Sequence, residues 1–515
     1  MGSKRNSMFY GALLLTAGSI AMRLVQLIFQ VYISGIMGAA GLGRMHLIMT
    51  VGGFAAILAS GGVRIAATCL AAEEAGRDNP GGVRTAICCC GIYGLMLSVP
   101  VSMCLWALAP MLSLHWVSDA SAVSPIRIQA VFLPVGCLWA VLAGYYTAAG
   151  RITELVALEL VERVGSVGLV VALMRTWVGI SDPCAAVFLG SGLATTANVS
   201  YLYFLYRRTM KDIRPAPARP MLRRLLHLTV PLGFNDVLRS GLSTLEHLMI
   251  PQGLRRFGAS GQEALAAYGT IGGMVFPVIT FPSVILYSLS DLLVPEMARS
   301  RAKDRKERII FLTDKCLRLS VFFAAACSGL CFLLGDDLGL MLFDSPDAGR
   351  YIRVFAPLIL ILYLDAITDG ILKGLSQQIH SVRYNTFTSL LDVGMLFVLL
   401  PRYGIGGYLA AYTVSRSVNF FLSLRRLILV THYLPRFHAS IGASLCCACS
   451  FLVLNLWPQA GTAQWALLRG GGFLLLYLLL IRLTGLLSRE DLHWLKGLIL
   501  QHKEPRNSKE PSRGF

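Results

Sequence analysis

Three arginines lie in stretches of this sequence that are otherwise rich in apolar residues. Arg23 and Arg64 have no acidic residue at a suitable spacing beside them, and Arg239 has only a partial counter-charge nearby. A guanidinium group has fork-shaped hydrogen-bond donors that match the oxygens of a phosphate. We therefore predict that Arg23, Arg64 and Arg239 line a substrate-binding cavity that attracts an anionic head group.

A second set of charged residues lies in other apolar stretches, and two interpretations remain open for it. Glu159 and Arg163 are four residues apart, hence on one face of a helix and able to pair. Asp365, Asp369 and Lys373 follow one another at the same spacing. Such groups either neutralise one another between helices or bind a coupling ion. The candidates for these roles are Glu159, Glu162, Arg163, Asp236, Glu246, Asp365, Asp369 and Lys373.

Three further polar residues give weaker indications. Asp392 and Arg416 add single charges to two of the later apolar stretches. His247, taken alone, is more typical of a histidine satisfied at a helix end than of a proton-coupling site. None of the three is predicted to be a site residue.

The elements that position these residues must cross a membrane. Of the 515 residues, 55% are hydrophobic and 14% are charged, whereas charged residues make up about a quarter of a soluble protein. Apolar stretches of roughly 20 residues follow one another along the chain. We predict an all-α integral membrane protein with about 14 transmembrane helices. The predicted helices are centred near Ile20, Ile57, Leu97, Val141, Val167, Leu193, Leu238, Val275, Phe323, Leu362, Phe397, Tyr412, Ala448 and Leu475.

The placement of positive charge predicts the orientation in the membrane. The net charge is +18, and Lys and Arg are dense in alternate loops, as in RRTMKDIRPAPARPMLRR at 207–224. This alternation argues against a nucleic-acid partner, and by the positive-inside rule it places both termini in the cytoplasm. The basic, then apolar, N-terminus is interpreted as a retained first span rather than a cleaved signal peptide.

A repeated stretch divides the chain into two parts. GAAGLGRMHLIMTVGGF at 38–54 and GASGQEALAAYGTIGGM at 258–274 share glycines at an offset of 220 residues, and a fainter echo pairs Gly150 with Gly374. Chance matching is the alternative, but the identical spacing favours two parallel six-helix lobes related by a pseudo-two-fold axis along the membrane normal, followed by two C-terminal helices. The predicted divisions are an N-lobe at 1–206, a basic cytoplasmic linker at 207–222, a C-lobe at 223–430, two further transmembrane helices at 431–487 and a basic cytoplasmic tail at 488–515.

The sequence lacks the features of several other classes of protein. Most of the 13 cysteines lie in apolar stretches and form no paired CxxC knuckles, so we interpret them as packing residues rather than metal ligands. There is no Walker A stretch for ATP, and the loops hold only scattered acids, whereas a membrane glycosyltransferase needs a clustered acidic metal site. We predict a transporter with no catalytic residue, metal or cofactor.

The stretch LLPRYGIGGYLAAY at 399–412 resembles a known signature, P-[KR]-[YF]-G-I-x-G. That signature is typical of polysaccharide-type flippases in the multidrug/oligosaccharidyl-lipid/polysaccharide (MOP) exporter superfamily. GYYTAAGRITELVALELVERV at 144–164 and LASGGVRIAATCLAAE at 58–73 resemble further motifs of the family, within which the chain resembles the subgroup of stage V sporulation protein B and lipid II flippases. Arg64 replaces the family's proline and Cys69 its lysine, so basic residues have shifted within this helix.

The resemblance implies an alternating-access flippase. Its substrate would be a lipid-linked saccharide, either a peptidoglycan precursor or a polysaccharide repeat unit, moved from the inner to the outer leaflet of a bacterial cell membrane in cell-wall or spore-cortex synthesis. The implied partners are this substrate, membrane lipids and a coupling ion, H⁺ or Na⁺, for a protein that acts as a monomer. The alternative is a cation-coupled multidrug exporter of the same superfamily, which needs a carboxylate that faces the cavity.

Overall fold

Helices make up almost all of the computed structural model, which describes residues 2–117, 119–176, 182–211, 213–434, 437–456 and 463–486. The prediction of an all-α protein is confirmed. A π-helical segment, Thr270–Val275, joins two of the helices. The α-helices are, in chain order, α1 (Gly2–Ser60), α2 (Val63–Gly76), α3 (Pro80–Leu112), α4 (Val123–Ala148), α5 (Ile152–Thr176), α6 (Pro183–Met210), α7 (Ala218–Phe257), α8 (Gly261–Gly269), α9 (Phe276–Thr280), α10 (Ser283–Ala302), α11 (Lys306–Phe343), α12 (Pro346–Phe355), α13 (Leu358–Gly374), α14 (Gln378–Tyr403), α15 (Ile405–Thr431), α16 (Phe437–Asn455) and α17 (Ala463–Leu483).

Thirteen of the 14 predicted helix centres lie within an α-helix, and the remaining one, Val275, ends the π-helical segment. In the part of the chain that the structure describes, eight helical stretches are long and apolar enough to cross a membrane, or nine if the bent pair α12 and α13 counts as one span. The more polar helices α5, α6, α7 and α15 are not among them. The structure therefore confirms a multi-pass helical architecture, and the figure of about 14 spans stays a prediction.

The two copies of the repeated stretch fold in the same way. Gly38, with φ +66, is the one non-helical residue inside α1, and Gly258, with φ +119, ends α7. Both conformations favour glycine because a Cβ would clash with the backbone there. We call the bends at Gly38 and Gly258 the elbows. Each elbow is followed by a helix that is interrupted, at 61–62 in the first copy and at 281–282 in the second. The offset of 220 residues is kept at each of these positions, so the sequence repeat is also a structural repeat.

The later, fainter echo needs one correction. The residue at left-handed φ that corresponds to Gly150 (φ +72) is Ser376 (φ +57), two positions beyond the predicted partner Gly374. Asp78 and Asp304, which follow α2 and α10, are a second left-handed pair, with φ +53 and +48. The residues of both pairs are 226 positions apart, whereas the earlier offset is 220. The second copy is therefore longer by six residues after its helix interruption.

Apolar packing joins the two parts of the chain, which we call the N-terminal half (α1–α6) and the C-terminal half (α7–α15). One buried cluster extends from Ile33 and Leu42 of α1 to Tyr363 of α13. A second cluster lies within the N-terminal half, around Leu70 and Tyr146, and reaches α7. Inside a membrane, close packing rather than the hydrophobic effect holds helices together. The stability of the contact between the halves therefore depends on how closely the helix surfaces fit together.

The predicted linker at 207–222 is shorter in the structure. Helix α6 continues to Met210, and α7 already begins at Ala218. The short segment between them is held on the start of α3, where the Thr85 hydroxyl donates to the Ala216 carbonyl at 2.9 Å and the Ala216 amide donates to the Gly81 carbonyl at 3.2 Å. The connection is thus attached to the N-terminal half.

The last two helices, α16 and α17, pack mainly on α11. Arg469 of α17 is 1% exposed and donates to Asp337 of α11 at 3.1 Å. About two turns further along α17, the Tyr477 hydroxyl donates to the carbonyl of Phe322 at 2.9 Å. A buried charge in a membrane needs such a partner. These contacts fix the two helices to the C-terminal half.

Candidate functional site

Arg23 lines a cavity of about 400 Å³ between the two halves. Gln26, Gln30 and His46 of α1 form one side of this cavity, and the segment from Gly272 to Phe281 forms the other. The Arg23 guanidinium lies 5.2 Å from the centre of the Tyr287 ring, a cation–π distance. Within the described part of the chain Arg23 makes no ion pair, which leaves its donors available to an anion.

Arg64 and Arg239 lie outside this cavity. Arg64 is exposed at the start of α2, where its guanidinium is 5.1 Å from the Trp139 ring and acts on the charge of Glu159 in α5. Arg239 is exposed on α7, and Asp236 is partly exposed one turn before it. The structure therefore places one of the three predicted arginines in the cavity, and their common role stays a prediction.

A second cavity of about 280 Å³ adjoins the first, with which it shares His46, Gly272 and Phe276. Most of the residues that line it are polar. Both halves contribute to it, because His46 belongs to α1 whereas the remaining polar groups belong to α7, α8 and α15. These groups are Ser243, Glu246, His247, Tyr268, Tyr408, Tyr412 and Arg416.

Glu246 of α7, Asp392 of α14 and Arg416 of α15 form a charge cluster beside the second cavity. The two acidic residues are 7% and 2% exposed, and their carboxyl groups lie within hydrogen-bond reach of each other. The Arg416 guanidinium interacts with both and lies 4.9 Å from the Tyr412 ring. Sequence reasoning had picked out Glu246 but not the other two, because three helices distant in the sequence meet here and no local spacing signals it.

The stripe predicted on α13 is engaged in local contacts. Asp365 accepts two hydrogen bonds from the Asn419 amide, at 2.9 and 3.1 Å. Asp369 forms an ion pair of 2.7 Å with Lys373, one turn along the same helix, and also accepts a hydrogen bond from Ser381. These partners support the structural interpretation of the stripe.

The charges predicted on α5 behave differently from one another. Glu162 accepts a hydrogen bond of 2.6 Å from Thr195 and another from Asn198, both on α6. Glu159 and Arg163 form no ion pair in the described residues, and the charge of Arg64 acts on Glu159 more strongly than that of Arg163 does. The expected pairing along α5 is thus replaced by contacts to α6 and α2.

The halves touch backbone to backbone near the two elbows. A Cβ placed on Gly43 of α1 would lie 2.0 Å from the Leu265 carbonyl oxygen, and one placed on Gly269 of α8 would lie 2.0 Å from the Ala39 carbonyl oxygen. Only glycine allows helices to approach so closely. We call this set of four residues the elbow-side contact, and it closes the cavities at that end.

Nearby, an ion-pair cluster ties α1 to the rest of the N-terminal half. Arg44 lies 2.6 Å from Asp182 and 3.3 Å from Asp119. Burial disfavours the charged form of Asp119, but hydrogen bonds from Ser121 and the charge of Arg44 outweigh it, so the pKa of Asp119 lies below its usual value. The carboxylate is therefore charged at neutral pH and holds Arg44 in place.

The opposite end of the interface is closed by charged side chains. Arg224 at the start of α7 forms an ion pair of 2.6 Å with Glu74 of α2 and another with Glu73. The Glu74 side chain is 6% exposed and also meets Arg77 at 3.1 Å. We call Arg224, Glu73 and Glu74 the Arg224 latch. The elbow-side contact and the Arg224 latch thus lie at opposite ends of the interface between the halves.

We expect Arg224→Gln to loosen the latch by about 1 kcal/mol, since Arg224 is about one-third exposed and solvent screens it. That energy is about a fivefold change in the opening equilibrium. Amide hydrogen exchange of residues 63–76, measured in nanodiscs, should become correspondingly faster. Arg208→Gln, at an exposed residue near the end of α6, is the control and should change nothing. Unchanged exchange in Arg224→Gln would contradict a closing role.

Curated relatives agree with the predicted resemblance. Stage V sporulation protein B of Bacillus subtilis (strain 168) is 22% identical over 406 residues, which are 77% of this chain and 78% of the relative. Sporulation protein YkvU of the same organism is 18% identical over 275 residues, 52% of this chain and 61% of its own.

Solved structures with the same fold include two transporters. Lipid II flippase MurJ in an inward closed conformation has a TM-score of 0.71 at 12% identity, with coverage of 93% of this chain and 100% of that one. An inward-facing multidrug resistance MATE family transporter of the MOP superfamily has a TM-score of 0.63 at 15% identity, covering 80% and 95%. The profile of a sequence family matches residues 9–300, more than half of the chain. The chain belongs to the polysaccharide biosynthesis protein family.

Proposed function

We propose that this protein is an alternating-access flippase that moves a lipid-linked, pyrophosphate-bearing saccharide from the inner to the outer leaflet. The observation that carries the proposal is Arg23, a guanidinium without an ion-pair partner among the described residues that lines a cavity between the halves. Two phosphate groups match its donors. Membership of the family and the names of the relatives, a sporulation protein and a lipid II flippase, agree with a substrate of this class.

The two closed ends give the proposal its mechanism. Opening the Arg224 latch admits the head group to the Arg23 cavity, and opening the elbow-side contact releases it on the other side. We propose a bacterial cell membrane with both termini in the cytoplasm, which puts the latch on the cytoplasmic side and the elbows outside. The protein acts as a monomer and needs no cofactor.

The lipid tail requires a separate, apolar path. A cavity of about 300 Å³ lies between α11, α13 and α16, and its lining includes Gly329, Phe332, Leu360 and Phe451. Apolar lining suits an acyl or prenyl chain that stays at membrane depth while the head group crosses. We propose that the tail follows this cavity, at the surface that α16 adds to the C-terminal half.

The return of the empty carrier needs a driving force. Moving one charge through 100 mV of membrane potential supplies about 2.3 kcal/mol, enough to drive a conformational exchange. A coupling ion, H⁺ or Na⁺, is the other source. A cation-coupled multidrug exporter is the second candidate function, because Glu246 places a carboxyl group on a cavity wall. Arg416 acts on that group, which favours the flippase.

The decisive test is flipping of a lipid-linked saccharide in proteoliposomes. Arg23→Gln should lower the rate about ten- to hundredfold, since a hydrogen bond to a charged group contributes about 1.5–3 kcal/mol. Arg23→Lys should recover part of the flipping rate, because lysine keeps the positive charge but lacks the paired donors of the guanidinium group. The same pair of changes at Arg64 and Arg239 tests the rest of the predicted set.

Arg208→Gln is the control for a lost surface charge and should leave the rate unchanged. Full flipping by well-expressed Arg23→Gln would rule out the proposed site. Depletion in cells separates the two candidate functions: a lipid-linked precursor accumulates if the protein is a flippase, and drug sensitivity rises if it is a drug exporter.

A further inference from the structure

Two histidines face each other across the interface between the halves. His46 belongs to α1 and His247 to α7, and both line the second cavity. Their rings are close enough to interact electrostatically. Neither was assigned a role in holding the phosphates above, although His46 also borders the Arg23 cavity. Titratable groups on opposite sides of a moving interface are candidates for a switch.

Each ring is held by a neutral partner. The Gln30 amide nitrogen lies 3.3 Å from Nε2 of His46, and the Tyr268 hydroxyl lies 3.3 Å from Nδ1 of His247. A neutral imidazole can satisfy either contact, because it offers one donor and one acceptor nitrogen. The closed arrangement is therefore compatible with a pair of uncharged rings.

The charged groups around the pair come from several helices. Glu246 lies beside His247 on α7, Asp392 faces it from α14 and Arg416 faces it from α15. On the α1 side, Arg23 lines the adjoining cavity that His46 also borders. The Arg416 guanidinium acts on both carboxyl groups of this cluster. At His247 the charge of Arg416 acts more strongly than that of Asp392, so the cluster does not offset a positive charge on the ring.

Both histidines are connected to the elbow-side contact. His46 is three residues, hence one helical turn, beyond Gly43, and Tyr268, which bonds His247, directly precedes Gly269. Separating the two rings therefore requires the glycine contact to open, and opening the contact separates the rings.

We propose that His46 and His247 form a proton-binding site that controls the elbow-side contact. With neutral rings the halves stay in contact at this end. When both rings are protonated, two positive charges face each other across the contact, repel, and favour its opening, where water surrounds each ring. The open form therefore binds protons more tightly, so the closed form loses population as the pH falls through the range of about 5–8 in which histidine titrates.

This inference uses only the alternating-access part of the proposed function, and it assigns a proton as the ligand of a site distinct from Arg23. It predicts that an acidic exterior favours the outward-open state. Proton binding would thus promote the step that opens the elbow-side contact, and the protons would have to leave before the contact closes again.

Distance measurement by electron spin resonance tests the proposal on the full chain in nanodiscs, without substrate. Spin labels attached through noncanonical amino acids at Ala120 and Gln262, both exposed, report the separation of the halves and leave the native cysteines in place. Between pH 8 and pH 5, the ratio of long to short distances should rise about tenfold, as expected if the open form binds the proton about tenfold more tightly.

His46→Gln and His247→Gln should each remove most of this response and keep the short distance at pH 8, which also shows that they are folded. His115→Gln is the matched control, since His115 is exposed and, among the described residues, contacts the carbonyl of Met111 four residues before it. A wild-type protein without a pH response, or a double variant with an unchanged one, would overturn the proton site. The flippase proposal would survive either result, because no substrate is present in the measurement.

Discussion

Arg416→Met is expected to lower the free energy of unfolding by about 3 kcal/mol. The change removes the cation that acts on Glu246 and Asp392, which are 7% and 2% exposed. A buried charge left without its partner costs about 3–5 kcal/mol, and we take the lower end because Arg416 borders a cavity. Unfolding by denaturant in mixed micelles, with helix content as the signal, measures the loss.

Removing the charge from the acidic side should reverse much of this effect. Arg416→Met combined with Asp392→Asn removes one acidic group together with the cation, and should regain at least half of the lost stability. Lys373→Met is a useful comparison, because its exposed ion pair with Asp369 should be worth less than about 1 kcal/mol. If Arg416→Met and Lys373→Met cost the same, the cluster does not have the buried character assigned to it.

Gly269→Ala is expected to abolish most transport without unfolding the protein. The added Cβ would lie 2.0 Å from the carbonyl oxygen of Ala39, a rigid backbone atom that cannot rotate away. Overpacking of this kind costs about 1–3 kcal/mol or more, so the closed elbow-side contact should become about ten- to hundredfold less populated. Flipping in proteoliposomes and the distance between the labelled halves both measure the outcome.

Gly43→Ala should have the same effect from the other side of the contact, because its Cβ would lie 2.0 Å from the Leu265 carbonyl oxygen. Gly53→Ala, also in α1, is the control: its Cβ would meet no atom within 4 Å. Normal flipping together with an unchanged distance distribution in Gly269→Ala would show that the halves do not need this contact to transport.

The elbows could be predicted because their information is local. Gly38 and Gly258 adopt left-handed φ, glycine is the residue that tolerates it, and the same spacing of small residues recurs around both. Two glycines of the repeated stretches, Gly43 and Gly269, also allow close helix packing. Which glycines meet could not be predicted, since the contact between Gly43 and Gly269 depends on how two helices cross.

The candidate site was harder to predict, because side-chain direction depends on helix rotation. Successive residues of a helix point about 100° apart, so an arginine in an apolar stretch can face a cavity, as Arg23 does, or an exposed surface, as Arg64 and Arg239 do. The cluster of Asp392, Arg416 and Glu246 gave no signal at helical spacing. Its residues come from three helices, and only tertiary packing brings them together.

The buried pair of Arg469 and Asp337 makes the two parts of the molecule unequal in size. Because α16 and α17 are attached to α11, they and the apolar cavity beneath them belong to the same rigid body as the C-terminal half. In the proposed cycle this larger body would move against the N-terminal half. A lipid tail bound in the apolar cavity would move together with the C-terminal half. The binding site of the tail would therefore shift during the cycle while the head group changes sides.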